Sequence, residues 1–335
     1  MIRAPPYVPS FCRARGFFVI ILIVCLIILM RRFTLIKKLL LLLLAAVIIA
    51  VGAACSVSAP GPVVDDLGRT IDVEKVPQKI VSLAPSNTEI LFALGLGDKV
   101  VGVTDFDDYP AQVKQKTSVG SPYPGFDLEK IVSLEPDLVL GFGYSLPDYA
   151  AKLEKLGHAV VVLAPKDVEG VLSDIELVGK ITGSEEAAKR LVDNMKRRID
   201  DVVAKTKDAP KPKVFWEFDA TDSTKPWTAG PGSFNHALIE LAGGQNIGAT
   251  GASSSFQMSA EEIISDDPGV IFLGDYQFGA KVEDVLNRPG WSVISAVKNN
   301  RIYPITDPNL TDRPGPRIVD GLEMLAKMLH PELFK

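Results

Sequence analysis

Two stretches of the chain, LEKIVSLEPDLVLG at residues 128–141 and AEEIISDDPGVIFLG at residues 260–274, share one pattern. Aligned without a gap, Glu129 meets Glu261, and a proline follows seven residues later in both. Each glutamate falls in the first turn of a predicted helix, where the positive end of the helix dipole stabilises a carboxylate. The proline stops that helix, and an apolar run typical of a buried strand follows. The repeat predicts that one helix–strand unit was built twice, once in each half of the chain.

The segments around these units alternate between short apolar runs and capped helical stretches, which indicates parallel α/β sheets. Residues 166–208 instead keep helical spacing throughout, with a bend or cap expected at the TGSEE sequence. We therefore predict an α/β fold with two Rossmann-like lobes, residues 76–165 and 209–335, joined by a single long backbone helix at 166–208. The predicted strands are 80–83, 100–103, 138–140, 159–163, 214–218, 270–273 and 302–305.

Several polar residues are predicted to cap helices, because their side-chain oxygens accept hydrogen bonds from free backbone N–H groups. Ser86 or Asn87 is predicted to cap the helix after the first strand, with Glu89 in the first turn. The later caps are expected at Asp127, Ser233 and Ser259.

The first 54 residues form a basic, apolar leader. They contain no Asp or Glu, and each of their two apolar runs is shorter than the ~20 residues of a spanning helix. From Met30 onward, basic residues, an apolar core and small residues follow in the order of a secretory signal. We therefore predict a signal segment at residues 1–54 with translation starting at Met30; a membrane hairpin is the alternative interpretation.

Cys55 follows the leader directly. The sequence VGAAC resembles the lipobox of bacterial lipoproteins, in which the cysteine is lipidated, although Gly52 stands where that pattern prefers leucine. No cysteine follows Cys55, which excludes an internal disulfide and a thiolate metal site from the exported part. We predict lipidation at Cys55 and a tether and entry segment at residues 55–75. The protein is then expected to be exported and anchored to the membrane on its periplasmic or extracytoplasmic face.

Charge and motif content argue against several functional classes. Seven of the 36 basic residues lie in the leader, so 29 basic residues face 41 acidic ones in the remainder, a net charge of −12 that disfavours nucleic acid. The sequence lacks a GxSxG elbow, a phosphate-binding loop and an HExxH pair. Its three histidines lie far apart, and GPGSF at residues 230–234 fits a plain turn and cap better than an anion site. We expect no enzymatic activity, no cofactor and no metal site.

Aromatic residues gather in the predicted loops. In open α/β sheets, ligands bind outside the carboxyl ends of the strands, and aromatic rings there offer flat apolar area with hydroxyl or indole donors. Packing on its own lobe explains any single ring, but the set from both lobes suits a cleft for a large planar ligand. The candidate ligand-binding residues are Phe106, Tyr123, Phe142, Tyr144, Phe218, Trp227, Phe256 and Tyr276, and Phe278 lies close by in sequence.

Five stretches of the chain together resemble the periplasmic-type solute-binding proteins of ABC importers, in the branch that binds cobalamin, haem and ferric siderophores. They are KIVSLAPSNTEILFALGLGDKVVGVT, FDLEKIVSLEPDLVL, LAGGQNI, RPGWSVISAVKNNRIYPI and GPRIVDGLEMLAKMLHP, and they occur in the order of that family. The resemblance implies two α/β lobes held apart by a rigid helix, a ligand cleft between the lobes, and a receptor without catalysis.

The resemblance also implies roles for particular residues. One glutamate in each lobe docks onto arginines of a dimeric permease, a role that falls on Glu129 and Glu261, with Glu262 as a possible substitute. Cobalamin contacts of the family fall on Phe106, Tyr123, Phe142, Phe218, Trp227 and Phe256. A ferric siderophore would favour cleft cations, for which Lys225, Arg313 and Arg317 are available, and haem would favour an axial ligand such as Tyr123, Tyr144 or Tyr276.

We therefore predict a monomeric solute-binding lipoprotein that captures a corrinoid, or another metal chelate, and delivers it to a dimeric ABC permease with its ATPase subunits. A ferric-siderophore or haem receptor of the same family is the alternative. An exported enzyme or metal-cluster protein on the same fold, and a structural surface lipoprotein with an empty cleft, are the rivals from other classes.

Overall fold

The computed structural model describes residues 60–143 and 147–334. The predicted signal segment, the start at Met30, the lipidation site Cys55 and the candidate ligand residue Tyr144 lie outside these ranges. Within them, none of the helices combines the length and apolar composition that crossing a bilayer requires.

The N-terminal half contains a five-stranded parallel sheet with the strand order β5-β4-β3-β8-β9. Its central strands are buried along their length, as expected for a parallel sheet covered on both faces. An antiparallel hairpin, β1 and β2, precedes the sheet, and a small one, β6 and β7, follows β5. The elements are β1 (Gly61–Val64), β2 (Thr70–Val73), β3 (Ile80–Ser82), α1 (Pro85–Ala93), β4 (Val100–Val103), β5 (Thr117–Ser118), β6 (Gly120–Ser121), β7 (Gly125–Phe126), α2 (Leu128–Ser133), β8 (Leu138–Phe142), α3 (Pro147–Lys155) and β9 (Ala159–Leu163).

The region predicted as one long helix at 166–208 is two helices, α4 (Val168–Thr182) and α5 (Glu185–Thr206). The chain turns at Gly183, whose φ of 67° lies in the left-handed region that glycine adopts without strain. The helices then pack closely, since a Cβ on Gly179 would lie 2.4 Å from the Ala188 Cβ. The prediction of a single helix was wrong because this turn needs only two residues, but the bend or cap expected at TGSEE is confirmed by the turn at Gly183. Helix α5 alone is about 33 Å long.

The C-terminal half contains a second sheet with the strand order β13-β11-β10-β14-β15, and β12 pairs with β10. The strands β12, β10, β14 and β15 run parallel, whereas β11 and β13 form an antiparallel extension. The elements are β10 (Lys213–Asp219), β11 (Trp227–Ala229), α6 (Phe234–Leu241), β12 (Gln245–Asn246), β13 (Ser255–Gln257), α7 (Ala260–Asp266), β14 (Val270–Leu273), α8 (Val282–Leu286), α9 (Ser295–Lys298), β15 (Ile302–Pro304), α10 (Asn309–Asp312) and α11 (Ile318–Leu329).

The two sheets share one hydrophobic core. A continuous cluster of buried side chains includes Leu138 of the first sheet and Phe272 of the second, together with side chains from α4, α5 and α11. Arg198 on α5 also donates to Glu323 on α11 at 2.8 and 2.7 Å. The predicted α/β class is confirmed. Each sheet falls within one of the predicted lobes, 76–165 and 209–335, whose limits as domains stay a prediction.

The duplicated unit has the same backbone design in both halves. The caps of α2 and α7 accept a hydrogen bond from the backbone N–H three residues on, as predicted for Asp127 and Ser259. Each unit then places a non-glycine residue at positive φ directly before its buried proline, Glu135 at 51° and Asp267 at 50°. The residue after each proline donates to the backbone of the neighbouring strand segment at 2.8 and 2.9 Å, and the strands that follow, β8 and β14, lie inside their sheets.

Helix α1 differs from the prediction. It begins at Pro85 after the extended residue Ala84, and no side chain caps it. Proline suits this first position because its missing N–H would be unbonded there anyway. Asn87 instead donates to the carbonyls of Leu140 and Gly141 at 3.2 and 2.9 Å and so ties α1 to β8. The predicted Ser86 or Asn87 cap was therefore wrong, and Glu89 lies beyond the first turn.

Candidate ligand-binding site

Ion pairs join the loops at the carboxyl ends of the two sheets. Arg317, in the segment after β15, donates to both oxygens of Glu89 on α1, at 2.9 and 2.6 Å. Arg313, in the same segment, donates to Asp108 at 2.6 Å and to the Phe106 carbonyl at 3.2 Å. Because Glu89, Phe106 and Asp108 follow β3 and β4, these contacts bring the carboxyl edges of both sheets together.

The Glu89 cluster is a buried salt bridge. The Glu89 side chain is 2% exposed, and the side chains of Arg313 and Arg317 are each 16% exposed. Hydrogen bonding to Glu89 raises the pKa of Arg317, whose guanidinium also stacks 4.1 Å from the centre of the Tyr109 ring. An arginine that already forms bidentate bonds to a buried carboxylate offers little charge to a ligand. Arg313 and Arg317 are therefore neutralised within the protein, and Lys225 lies 3.8 Å from Asp222.

Two adjoining cavities open at the carboxyl end of the C-terminal sheet. They share Phe218 and Asp219, at the end of β10. The smaller, of about 550 Å³, is lined by Trp227, Phe234 and Asp312, among others, and is called the aromatic cavity below. The larger, of about 710 Å³, is lined by Asp219, Asp275, Phe278, Asp284 and Arg288, among others, and is called the acidic cavity.

The aromatic cavity is held in place from several elements. Trp227 begins β11 and is 41% exposed, and Phe218 packs against the buried Trp216 with ring centres 6.3 Å apart. Ser233 caps α6 as predicted, by accepting a hydrogen bond from the His236 backbone N–H at 3.1 Å, and so fixes Phe234. On the opposite wall, Asp312 accepts a hydrogen bond from Asn235 at 3.0 Å. The cavity thus presents apolar rings beside two carboxylates, Asp219 and Asp312.

The acidic cavity contains a second buried ion pair. Arg288 makes bonds to both oxygens of Glu217, one of them 2.8 Å long, and its guanidinium stacks 4.6 Å from the centre of the Trp291 ring. Asp275 is 8% exposed, and its Oδ1 has no hydrogen-bond partner among the described residues. Burial, together with the nearby charge of Glu217, raises the pKa of Asp275 to about 6.

The other predicted rings take different positions. Phe106 is 55% exposed beside the Arg313 contact, and Tyr123, at the tip of the β6–β7 hairpin, is 85% exposed. Phe142 ends β8 and is half-buried. Tyr276, in the turn after β14, is 41% exposed and lies next in sequence to Asp275. Phe106, Phe142 and Tyr276 thus occur at carboxyl ends of strands, but of the predicted rings that the structure describes, only Phe218 and Trp227 line the aromatic cavity.

Phe256 has a packing role. It lies in β13 opposite the buried Thr228, whereas Trp227 lies opposite Gln257, so the two rings project from opposite faces of the β11–β13 ribbon. Its ring packs so closely on Gly251 that a Cβ there would lie 2.1 Å from the Phe256 Cε1. Both Trp227 and Phe256 were predicted in loops; they lie in strands instead, because short strands flanked by Gly, Pro and Ser carry little local signal.

Sequence reasoning missed the residues that act through distant partners. Glu89 pairs with arginines more than 220 residues away, and its only local signal was a glutamate inside the apolar stretch TEILFALG. No pattern in the sequence indicated a functional role for Asp275 or Arg288. Among the described residues, no cluster of His, Cys, Asp and Glu side chains is arranged to hold a metal ion.

The predicted docking glutamates are both exposed. Glu129 and Glu261 lie in the first turns of α2 and α7, and neither forms an ion pair with any other described residue. Glu262 differs, because it completes a capping box by accepting a hydrogen bond from the Ser259 N–H at 2.9 Å. That bond lowers the pKa of Glu262. Glu262 is thus occupied within the helix cap, and Glu261 is free to contact a partner.

Comparison with known proteins agrees with this architecture. The family model described as periplasmic binding protein matches residues 80–308. The chain is 37% identical over 281 residues to the uncharacterized ABC transporter substrate-binding lipoprotein YvrC of Bacillus subtilis, covering 82% of this chain and 87% of that one. It is 32% identical over 289 residues to a cobalamin-binding protein of Halobacterium salinarum, covering 83% and 75%.

A solved structure shows the same fold. The periplasmic haem-binding protein RhuT from Roseiflexus, in its apo form, superposes with a TM-score of 0.66 at 27% identity, covering 76% of this chain and 99% of that one. The family consists of substrate-binding receptors rather than enzymes. The chain therefore belongs to the periplasmic binding protein family, among the substrate-binding proteins of ABC transporters.

Proposed function

We propose that this protein captures a corrinoid and delivers it to an ABC permease. The observation that carries the proposal is that one edge of the fold has both exposed aromatic rings and arginines whose charges are neutralised by carboxylates. Trp227 and Phe218 offer flat apolar area, while Arg313 and Arg317 are bound to Glu89. A large planar ligand with little net negative charge fits these surroundings. The cobalamin-binding relative from Halobacterium salinarum supports the same assignment.

Anionic siderophores fit less well. A ferric siderophore with several negative groups would need unpaired cations, and the three candidate cations each lie within 4 Å of a carboxylate. Haem is the second candidate, because Tyr123 is 85% exposed and a tyrosine can serve as its axial ligand. The apo haem-binding protein RhuT also shares the fold.

Delivery requires contact with a permease, which works with an ATPase in ABC importers. The proposed docking residues are Glu129 and Glu261, since both are exposed at matching places of the duplicated unit. Two carboxylates in equivalent positions are suited to two equivalent basic patches on a dimeric permease. Lipidation at Cys55 would keep the receptor at the membrane surface, close to that permease, on the periplasmic or extracytoplasmic face.

The cleft is proposed to change little on binding. The hydrophobic core that includes Leu138 and Phe272 continues through α4 and α5 from one sheet to the other. Packed cores resist continuous deformation, so large hinge motion would break well-packed contacts. A preformed site loses less free energy on ordering, which favours submicromolar affinity, equivalent to more than about 8 kcal/mol.

Isothermal titration calorimetry tests the ligand assignment. The full-length protein in detergent is titrated with a cobalamin, with haemin and with a ferric siderophore. We expect submicromolar binding of the cobalamin and at least tenfold weaker binding of the other two. Tight binding of haemin with no response to the cobalamin would transfer the assignment to haem, and no binding of any of the three would refute the proposal.

A further inference from the structure

We propose that the acidic cavity receives hydrogen-bond donor groups on the rim of the ligand and that Asp275 selects amide-bearing corrinoids over carboxylate-bearing ones. This inference rests on the proposed function and adds a chemical preference to it. It concerns the cavity that adjoins the aromatic cavity and shares the wall formed by Phe218 and Asp219 with it.

Asp275 carries a buried acceptor atom that has no hydrogen-bond partner in the part of the chain that the structure describes. Its side chain lines the acidic cavity at 8% exposure, and its Oδ1 accepts no hydrogen bond from any described residue. A buried acceptor left without a donor costs about 1–3 kcal/mol. A ligand that supplies an N–H at this point would recover that free energy on binding. The neighbouring carboxylates differ, because Asp219 accepts from the Thr221 N–H at 2.7 Å and Asp284 from the Lys281 N–H at 3.1 Å.

The charges around Asp275 determine which groups are accepted. Asp219 and Glu217 lie on β10 and Asp284 on α8, whereas Arg288 is the only cation among the described residues that line the cavity. Arg288 is bound to Glu217, whose side chain is fully buried. The cavity therefore keeps an excess of negative charge. It would repel a carboxylate and attract a primary amide or a protonated amine.

The position of the cavity allows one ligand to reach both sites. The acidic and aromatic cavities share Phe218 and Asp219 as a common wall. A planar macrocycle stacked on the ring of Phe218 or Trp227 would extend its peripheral side groups past that wall. Corrinoids carry such groups around their rim, either as amides or as free carboxylic acids, so one ring system supplies both test compounds.

Binding of two corrinoids that differ chiefly in these groups tests the inference. Full-length wild-type protein, Asp275→Asn and the control Asp200→Asn, an exposed site on α5, are titrated with cobinamide and with the corresponding polycarboxylic acid, cobyrinic acid. We expect the wild type and the control to prefer cobinamide by about tenfold or more. Asp275→Asn removes the negative charge, and its preference should fall at least severalfold.

The possible results separate the two proposals. Equal affinity of the wild type for both compounds would refute the inference while leaving corrinoid binding intact. An unchanged preference in Asp275→Asn would show that Asp275 is not the determinant. No binding of either compound to the wild type would refute the proposed function and this inference together. Since the first comparison uses the wild type, the inference stays testable even if the variant misfolds.

Discussion

Replacing the buried Glu89 should destabilise the protein by an amount that measures the link between its two halves. In Glu89→Gln the side chain keeps its shape and one carbonyl acceptor, but Arg313 and Arg317 lose the charge that they share. Removing one partner of a buried ion pair costs about 3–5 kcal/mol. Here both arginines stay 16% exposed, and Asp108 at 2.6 Å and Asp307 at 3.8 Å supply some compensating charge. We therefore expect a loss somewhat below that range, about 2–3 kcal/mol.

Equilibrium unfolding in urea measures this loss, because urea does not screen charges. Glu129→Gln is the matched control: its side chain is exposed and forms no ion pair with a described residue, so its change should stay within about 0.5 kcal/mol. A double-mutant cycle with Arg317→Gln should show coupling of about 1 kcal/mol or more. A Glu89→Gln change no larger than that of the control, or additive effects in the cycle, would refute the conclusion that this pair holds the two edges together.

Four further outcomes are expected. Glu129→Lys combined with Glu261→Lys should abolish uptake of the solute by cells while calorimetric affinity stays unchanged; a matching loss of affinity would contradict the docking role. Trp227→Ala should weaken corrinoid binding at least tenfold, as for a central aromatic contact, and unaltered affinity would remove this ring from the site. Free and ligand-bound protein should give nearly superimposable small-angle scattering curves, whereas a large domain rotation would contradict a preformed cleft. Burial and the nearby charge of Asp66 raise the pKa of Asp174 to about 9. The unfolded chain therefore releases this proton near pH ~4, whereas the folded protein keeps it until pH ~9. The free energy of unfolding should fall across this window by up to about 1.4 kcal/mol per pH unit. Urea midpoints of Asp174→Asn should show a flatter pH dependence, and an unchanged slope would refute this origin.

The parts of the fold that sequence predicted are those set by neighbouring residues. The caps at Asp127 and Ser259, the prolines that follow their helices and the strands beyond them all depend on contacts within about ten residues. Such signals can be recognised in the sequence without any knowledge of tertiary structure. The matching positive φ values of Glu135 and Asp267 had no sequence signal, yet they follow from the same unit, because each chain must turn sharply between the helix and its buried proline.

The parts that sequence did not predict depend on distant partners or on very short elements. An interruption was expected at TGSEE, but that it separates two closely packed helices depends on the close approach of Gly179 to Ala188, which helical spacing alone does not show. Phe256 was expected in a loop, but it lies in β13 opposite Thr228 and packs against the core, while its role as a ligand contact stays a prediction. A period-two pattern cannot be recognised in a strand of three residues.

The charge arrangement explains why rings, rather than cations, are expected to hold the ligand. Each buried cation near the carboxyl edges already has a buried carboxylate: Arg317 has Glu89, and Arg288 has Glu217. Forming these pairs removes four charges from the set that could attract an ionic ligand. Under the proposed function, recognition would then depend on apolar area at Phe218 and Trp227 and on the Asp275 acceptor, which has no partner among the described residues. Such a site discriminates by shape and by hydrogen-bond donors, which predicts that affinity for an uncharged ligand will change little with salt.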